Sequence, residues 1–403
     1  MNAASPEPDG TQSHVVRRGD VHVAHSVFDW LPLTQSFIYN QLRFTPVPSI
    51  VIANKLHPSG YEWNPVYTFA SRRERLVQRI LHAAEVRVVS PTFEAALTDC
   101  RATLLHSHFG DRGWFDRPLA RRLGLRHVVT FYGYDLSRLP QSQTRWRRRY
   151  KSLFEEADLF LCEGPFMAKT LVELGCDAGR IRVQPLGVDP TEFCFSPRTP
   201  SADGTVRILI AGRFAEKKGI PLALEAAANV MEMHGQLRVT VIGDSSAGQP
   251  KEKAEKERIQ EVVARRRLAP FVRFLGFQPY ARLIDEAYAH HIFLSPSRRA
   301  VDGDSEGGAP VTLIEMAATG MPIVSTDHCD IPEVVVDGKT GLLAREADVS
   351  DLTRCLSVMT SSPERWPEFG AAGRRHVEMN FDARALCLKL GQVYKHLAEG
   401  RSS

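Results

Sequence analysis

The stretch VRILIAGRFAEKKG (206–219) carries the clearest fold signal in the chain: an apolar run, a polar turn containing Gly212, and the approach to a helical pattern. In the helix predicted from about Lys218, the residues Leu224, Ala227, Ala228 and Met231 recur at the spacing of one buried face. Further apolar runs follow, separated by longer amphipathic stretches: LRVTVIGD (237–244), VRFLGF (272–277), HIFLSPS (291–297) and PIVSTD (322–327). This alternation predicts parallel strands covered by helices on both faces.

The first half of the chain shows the same alternation. Its strand candidates are VHVAHSV (21–27), SIVIAN (49–54), EVRVVS (85–90), TLLHSHF (103–109), RHVVTFYG (126–133), LFLCEG (159–164) and RIRVQPLG (180–187). A proline-rich stretch with no periodicity then predicts a linker. We therefore expect an α/β protein with two doubly wound, Rossmann-like domains facing one another. The expected divisions are a flexible N-terminal segment (1–20), a first domain (21–190), a linker (191–205), a second domain (206–380) and a C-terminal segment (381–403) with a helix at about 382–398.

Composition excludes several other classes. The 403 residues are 43% hydrophobic and 24% charged, which is ordinary globular usage and excludes a disordered, collagenous or coiled-coil architecture. No apolar run is long enough to span a bilayer, and the first twenty residues lack the apolar core of a secretory signal. The seven cysteines are scattered without a CxxC pair, which disfavours a disulfide framework or a structural zinc site. We expect a soluble cytoplasmic protein.

The net charge of +4 is too small to indicate a nucleic-acid partner, and none is expected. The basic residues are nevertheless concentrated, with 11 basic and 3 acidic side chains in residues 101–150. Within this region lies RWRRRYK (145–151), which is either the solvated face of a helix or a patch that meets an anionic membrane surface or a phosphate-bearing acceptor. The membrane alternative would place the protein at the cytoplasmic face of the inner membrane.

Ligands of open α/β sheets bind beyond the carboxyl ends of the strands, which directs attention to the loop of residues 211–219. Arg213 offers a planar fork for phosphate oxygens and Lys218 a compact point charge, while Gly212 permits close approach. Together they suit a diphosphate. The alternative is a polar loop with two solvated cations.

A second loop, DGDSEGGAP (302–310), precedes a helix predicted from about Val311. Pro310 suits the first turn of a helix, and the Gly307-Gly308-Ala309 amides would then face an anion. Glu315 interrupts the apolar stretch VTLIEMAA, where a carboxylate is costly unless it accepts hydrogen bonds, such as those of sugar hydroxyls. In a third loop, Gly276 and Phe277 could hold a nucleotide base.

The first domain offers weaker candidates. His108 follows a predicted strand and is expected to face the cleft, where it would position acceptor or donor; a structural histidine is the alternative. In WLPLTQSFI (30–38), Thr34 is a candidate helix N-cap, and the residues after it, Gln35 and Ser36, could present amides to an acceptor hydroxyl. Capping alone is the simpler interpretation of that segment.

From about residue 21 to the end, these motifs resemble the family 4 retaining glycosyltransferases of the GT-B architecture, in particular the bacterial colanic-acid and exopolysaccharide branch. GRFAEKKG resembles the family's diphosphate loop, SEGGAPVTLIEMAATGMPIVST its two-glutamate signature and PLGVD (185–189) its domain junction. TFYGYD (130–135) resembles a first-domain segment of the family, which implies acceptor-side positions for Tyr132 and Asp135.

The resemblance implies an enzyme that moves a sugar, with retention, from a UDP- or GDP-sugar to a glycan or lipid-linked glycan acceptor in bacterial surface polysaccharide biosynthesis. It implies a C-terminal helix that crosses back to the first domain. Arg213 and Lys218 would bind the pyrophosphate, Glu306 the donor-sugar hydroxyls and Glu315 the ribose. The amides of 307–309 would meet sugar or phosphate oxygens. No cofactor and no metal ion would be required, because the two cations already neutralise the diphosphate.

Two departures from the family pattern stand out. Glu306 and Glu315 are separated by eight residues instead of the family's seven, with the extra residue in the Gly307-Gly308 pair. Tyr132 stands where the family segment often has histidine, so that histidine's role is not transferred to this position. Two alternatives stay open: another enzyme of the same fold, such as a sugar-nucleotide epimerase or an inverting transferase, and a non-catalytic relative that binds nucleotide sugars.

Overall fold

Thirteen strands and fifteen α-helices alternate along the part of the chain that the structure describes. The structure, a computed structural model, describes residues 21–30, 36–57, 62–84 and 86–400. The strands are β1 (Val23–Trp30), β2 (Ser49–Leu56), β3 (Val66–Tyr67), β4 (Leu104–His108), β5 (Arg126–Thr130), β6 (Leu159–Cys162), β7 (Ile181–Val183), β8 (Val206–Ala211), β9 (Leu237–Ile242), β10 (Val272–Gly276), β11 (Ile292–Ser295), β12 (Ile323–Thr326) and β13 (Gly341–Ala344).

The helices lie between these strands and after the last of them. They are α1 (Ser36–Phe44), α2 (Arg72–Ala83), α3 (Pro91–Asp99), α4 (Gly110–Leu123), α5 (Arg138–Ser142), α6 (Arg145–Glu156), α7 (Pro165–Glu173), α8 (Ile220–His234), α9 (Pro250–Arg265), α10 (Tyr280–Ala289), α11 (Val311–Ala318), α12 (Ile331–Val334), α13 (Val349–Ser361), α14 (Trp366–Asn380) and α15 (Ala383–Glu399).

The strands form two all-parallel sheets, one in each lobe. The first has the order β3-β2-β1-β4-β5-β6-β7 and the second the order β10-β9-β8-β11-β12-β13. In each sheet the strand order reverses next to the first strand of that lobe, β1 or β8, as in doubly wound folds. The prediction of two Rossmann-like domains in a GT-B arrangement is confirmed.

One predicted strand is wrong. Residues 86–90 pair with no strand in the described chain, and Val86 and Val88 are exposed. The edge that this run would occupy is taken by the short strand β3, which sequence reasoning missed. The run instead leads into α3, whose N-cap is Ser90 and whose first residue is Pro91.

Burial follows the predicted pattern in the second lobe. On α8, Leu224, Ala227 and Ala228 are buried in the core formed with β8, β9 and α13, and Met231 packs at its margin. The strands are apolar on both faces because helices cover both sides of the sheet.

The C-terminal helix returns to the first lobe, as the resemblance implied. Leu390 and Tyr394 of α15 are buried against Val23, Leu104 and Val128 of the first sheet. The Tyr394 hydroxyl lies 2.7 Å from Nδ1 of His106 in β4. This helix therefore ties the end of the second lobe to the core of the first.

No helix in the described part of the chain combines the length and the apolar character needed to cross a membrane. The basic segment 145–151 begins α6, where Trp146 and Tyr150 are buried and Arg148 and Lys151 are exposed.

Candidate active site

The two lobes meet through their loops at the carboxyl ends of the strands. Asp330, after β12, accepts hydrogen bonds from the backbone N–H groups of Phe166 (2.7 Å) and Met167 (3.3 Å) at the start of α7. Gly133, after β5, lies so close to the Glu306 carbonyl and Gly307 that a Cβ on either glycine would overlap the opposite backbone. The 306–308 loop of the second lobe therefore lies directly against the first lobe.

Lys218 and Glu306 are brought into direct contact. Lys218 lies in a short 3-10 turn after β8, and its Nζ is 2.8 Å from Oε1 of Glu306. The neighbouring Lys217 contacts Asp304 at 3.3 Å and the Ser305 carbonyl at 3.0 Å, so it fixes the loop that precedes Glu306. Two cations thus converge on one acidic loop.

The Glu306 carboxyl is buried and charged. Burial alone would raise its pKa, but Lys218, Lys217 and a 2.8 Å hydrogen bond from Ser297 outweigh burial and lower the pKa to about 2. The Glu306 backbone N–H donates to Nε2 of His328 at 3.3 Å. A permanently ionised carboxylate held in this way can accept hydrogen bonds from sugar hydroxyls.

Arg213 lies at the end of β8 and is paired with a different acid. Its Nη1 is 2.6 Å from Oε1 of Glu252, a buried residue of α9, while the guanidinium side chain is 44% exposed. The Gly212 carbonyl packs against Gly243, where a Cβ would overlap it, and Gly212 itself faces the aliphatic part of the Lys218 side chain. The exposed part of the guanidinium remains available to a phosphate group.

Glu315 lies on α11 with a single hydrogen-bond donor in the described chain, the hydroxyl of Tyr280 at 3.0 Å. Burial raises the pKa of Glu315 to about 7, and the tyrosine hydrogen bond opposes this only in part. A buried carboxyl with spare acceptor capacity suits a ligand that brings hydroxyl donors.

The glycine loop and the base loop have different surroundings. Gly307 has a φ of 78°, and Gly308 packs against the Glu163 carboxyl of the first lobe; Ala309 is partly buried. Gly276 ends β10 with a φ of 68°, and Phe277 is 55% exposed. The structure therefore places the 307–309 loop at the lobe interface and Phe277 on an open surface.

In the first lobe His108 does not face the cleft. It is fully buried, with Nε2 3.0 Å from Nδ1 of His25 and Nδ1 2.6 Å from the hydroxyl of Tyr132. Both ring nitrogens are therefore engaged inside the lobe, and the role of His108 in positioning acceptor or donor stays a prediction. Tyr132 lies in front of it, and the Tyr132 hydroxyl also reaches Gln41 at 3.5 Å.

Asp135 is also internal. Its two oxygens accept hydrogen bonds from the backbone N–H groups of Gly110 (2.8 Å) and Tyr132 (3.0 Å), and burial raises its pKa to about 7. This carboxyl shapes the loop that carries Tyr132, and an acceptor-side role of Asp135 stays a prediction. Thr34 and Gln35 lie outside the described residues, and Ser36 is the first residue of α1.

Three buried histidines form the only group of potential metal ligands found among the described residues: His25, His106 and His108. The rings of His106 and His108 are stacked with centroids 4.3 Å apart, so their in-plane lone pairs run side by side instead of converging. His106 is also engaged by Thr130 and Tyr394. This geometry fits a hydrogen-bonded stack better than a metal centre.

Sequence reasoning missed several residues of the site. The charged side chains are held in place by Lys217, Glu252, Ser297 and His328. Of these four residues, only Lys217 could have been found from the sequence, because it stands next to Lys218. In the loop before Glu306, Asp302 is paired with Lys251 and Asp304 with Lys217.

Comparison with known proteins agrees with this arrangement. Residues 66–192 match the family described as Glycosyltransferase Family 4, and residues 195–376 match Glycosyl transferases group 1. The chain is 31% identical over 296 residues to the amylovoran biosynthesis glycosyltransferase AmsK of Erwinia amylovora, covering 72% of this chain and 69% of that protein. It is 32% identical to the putative colanic acid biosynthesis glycosyltransferase WcaL of Escherichia coli, with 78% and 76% covered.

Solved structures share the fold at lower identity. Sucrose-phosphate synthase from Thermosynechococcus elongatus superposes with a TM-score of 0.74 at 20% identity, covering 95% of this chain and all of that one. Anabaena HepE in complex with UDP gives a TM-score of 0.73 at 14% identity, covering 93% and 100%. The family models and the named relatives identify the chain as a glycosyltransferase, and the two facing Rossmann-like lobes agree with that assignment. The chain belongs to the family 4 glycosyltransferases, and its similar relatives act in exopolysaccharide biosynthesis.

Proposed function

We propose that this glycosyltransferase moves a sugar from a nucleotide-diphosphate donor, a UDP- or GDP-sugar, to a hydroxyl of a glycan or lipid-linked glycan in the assembly of a bacterial surface polysaccharide. The observation that carries the proposal is the 2.8 Å contact between Lys218 and Glu306, beside Arg213, at the carboxyl ends of the second sheet. The relatives named for amylovoran and colanic acid biosynthesis support the acceptor class, and HepE in complex with UDP supports the donor class.

The charges are arranged for departure of a diphosphate. As the bond between the sugar and the phosphate oxygen breaks, negative charge grows on the leaving group, and fixed cations stabilise that charge more than they stabilise the ground state. Lys218 and the exposed part of Arg213 supply those cations. With two positive side chains in place, the chemistry proposed here includes no metal ion.

The two glutamates act on hydroxyls. Glu306 binds the hydroxyls of the transferred sugar, because its ionised carboxylate is fixed by Lys218 and Ser297. Glu315 binds the ribose hydroxyls, with Tyr280 as its neighbour. The 307–309 amides meet sugar or phosphate oxygens, and Gly276 and Phe277 border the base.

Retention of configuration follows from attack on the face from which the diphosphate departs. The acceptor hydroxyl enters from the first lobe, past Tyr132, and gives its proton to the departing phosphate oxygen. Closure of the lobes through Asp330 and α7 excludes water and limits hydrolysis of the donor. Analysis of the product's anomeric configuration by NMR tests this step, and an inverted product would contradict it.

A panel of nucleotide sugars tests the donor. A ligand that binds only the native protein raises its melting temperature, so UDP-, GDP- and ADP-sugars are compared in a thermal-shift assay. A UDP-sugar or a GDP-sugar is expected to give the largest shift in melting temperature.

Substitution of the two cations tests the catalytic assignment. Arg213→Ala and Lys218→Ala are expected to lower turnover at least about tenfold in a folded protein. Near-normal transfer by both variants would contradict the proposal, and Lys339→Ala, at an exposed lysine, is the control.

We also propose that the first lobe docks on an anionic membrane surface through α6 (145–151) together with α2. On α2, no described side chain is buried, and Leu76 and Ile80 are 47% and 57% exposed. The polar side of the helix faces the protein instead: Glu74 accepts hydrogen bonds from Ser90 and Thr92, and His82 stacks on Phe115. An outward apolar face is typical of a helix that lies in a bilayer interface.

Arginines lie on both helices and on the segment that follows α2. Arg87, in that segment, and Arg149 of α6 stack on Trp114 of α4 at 4.6 and 4.4 Å, and α2 carries Arg72, Arg73, Arg75 and Arg79. Each exposed arginine near an anionic bilayer contributes about 1 kcal/mol of attraction.

Sedimentation with vesicles tests the docking surface. Binding to vesicles containing phosphatidylglycerol, but not to phosphatidylcholine alone, is expected for the wild type and is expected to be lost in Ile80→Glu. Met379→Glu, at a 76% exposed residue of α14, is the matched control. Binding that survives Ile80→Glu, or a dimer in solution that this variant dissociates, would contradict membrane docking by α2.

A further inference from the structure

Glu163 is an acidic residue of the first lobe that the mechanism above does not use. It follows β6 directly, at the carboxyl end of the first sheet, within the segment Cys162-Glu163-Gly164. Its carboxyl lies against Gly308 of the second lobe, and the next residue, Gly164, lies against the Asp330 carboxyl. The segment is thus fitted between the two loops of the second lobe that close on the first.

Other buried carboxyls at this interface have structural partners. Asp330 accepts two backbone N–H groups of α7, and Asp135 accepts those of Gly110 and Tyr132. Glu163 accepts no hydrogen bond from any described residue and is half-buried at the interface. Burial of an unpartnered carboxyl destabilises a protein, so such a group is more typical of a binding site than of a scaffold.

The surroundings favour the protonated form of the Glu163 carboxyl. Burial raises its pKa well above the ordinary value, and nearby acids add to this effect while Lys217 opposes it only in part. The titratable and charged groups that face it are Asp330, Asp135, Glu306, Lys217, Tyr132 and Cys162. A protonated carboxyl donates one hydrogen bond and accepts others, which matches the two-way hydrogen bonding of a sugar hydroxyl.

The geometry points to Glu163 as a sugar-binding residue of the first lobe, whose carboxyl hydrogen-bonds a hydroxyl of the transferred sugar held against Gly308. This inference rests on the proposed function, because Gly308 and Glu306 are the residues there assigned to the donor sugar. It also gives a reason for the extra residue between Glu306 and Glu315. Only glycine at 308 leaves room for the Glu163 carboxyl, since a Cβ would overlap it.

Paired ligands with and without a sugar test the assignment. The dissociation constants of UDP-glucose and UDP, and of GDP-mannose and GDP, are measured for the wild type and for Glu163→Ala. We expect the variant to bind the preferred nucleotide sugar about tenfold more weakly, since a hydrogen bond to a buried partner is lost, and to bind the nucleotide diphosphate as the wild type does. Glu163→Gln, which also donates and accepts, is expected to recover most of the lost affinity.

The melting temperature separates a binding role from a structural one. Removal of an unpartnered buried acid is not expected to lower the melting temperature of Glu163→Ala, and Glu173→Ala, at an exposed acid of α7, serves as the control. Equal weakening of both ligands, unchanged binding of both, or a lowered melting temperature with unchanged binding would overturn the inference. Failure of the wild type to bind any nucleotide or nucleotide sugar would instead count against the proposed function.

Discussion

The two lobes stabilise the polar groups at and behind their interface by opposite means. In the second lobe, the site consists of ionised pairs, Lys218 with Glu306 and Arg213 with Glu252. In the first lobe, burial lowers the pKa of His25 and His108 and raises the pKa of Glu163, and the two histidines lie inside the lobe behind Tyr132. Ionised pairs thus characterise the second lobe, while burial favours the neutral forms of these groups in the first lobe.

The neutral character of the first lobe predicts a strong dependence of stability on acid. Burial lowers the pKa of His25 to about 3 and that of His106 and His108 well below the ordinary value. The unfolded chain binds protons below about pH 6.5, so stability is complete above that pH and falls as the pH drops. Between pH 7 and 5.5 the three histidines together are expected to remove about 4 kcal/mol of unfolding free energy.

Urea unfolding as a function of pH checks this expectation. His25→Gln is expected to reduce the number of protons taken up on unfolding by about one. His396→Gln, at an exposed residue of α15, is the control and is expected to leave the slope as it is. Equal proton uptake on unfolding by the wild type and by His25→Gln between pH 7 and 5.5 would show that His25 is not held neutral in the folded protein.

An isosteric exchange compares the two lobes directly. Glu306→Gln removes a charge that Lys218 and Lys217 require and is expected to lower kcat by about 100-fold. Glu163→Gln replaces a carboxyl that already carries a proton and is expected to lower kcat by less than about threefold. Initial transfer rates of the two variants, relative to the wild type, measure this difference in kcat. Equal losses of kcat in Glu306→Gln and Glu163→Gln would contradict the distinction between a charged and a neutral lobe.

Glu315 shares features with both lobes. It belongs to the second lobe, whose site consists of ionised pairs, but it is buried and its pKa is raised to about 7. Ribose hydroxyls donate to its ionised form, so donor affinity is expected to increase as the pH rises through about 7, by up to about tenfold between pH 6 and 8. Glu315→Gln is expected to bind more weakly and to lose this dependence. Calorimetric titration at several pH values measures it, and an affinity that falls with rising pH would contradict the assigned role.

The smallest expected effect concerns the hydroxyl that joins the histidine stack to the cleft. The chain of contacts is consistent with His25 Nδ1–H donating to His108, His108 Nδ1–H donating to Tyr132, and Tyr132 donating to Gln41. Tyr132→Phe leaves the His108 donor without a partner, at a cost of about 1 kcal/mol of unfolding free energy and a loss of about threefold in kcat. Tyr288→Phe, whose hydroxyl bonds the Cys194 carbonyl, is the control. If Tyr132→Phe changes neither the unfolding free energy nor kcat, the histidine stack does not influence the cleft through this hydroxyl.

The fold was predictable from the sequence because strand cores such as VRILIA and LFLC are apolar without alternation, and helical stretches separate them. The prediction of a strand at 85–90 was wrong. The run contains β-branched residues, as strands do, but residues 86–90 lie on a surface where no strand pairs with them. Arg213, Lys218, Glu306 and Glu315 could be singled out because their polarity interrupts strand and helix patterns. Glu163 and Asp330 could not, since their roles depend on contacts between the lobes, made by residues more than 140 positions apart in the sequence.

The backbone contact between Gly133 and Gly307 sets how far the lobes can approach. With no side chain on either partner, the gap there is narrower than a methyl group, and even an alanine would act as a wedge that props the two halves apart. The close approach of the two lobes in this enzyme thus depends on having glycine, with no side chain, at one position in each half of the polypeptide.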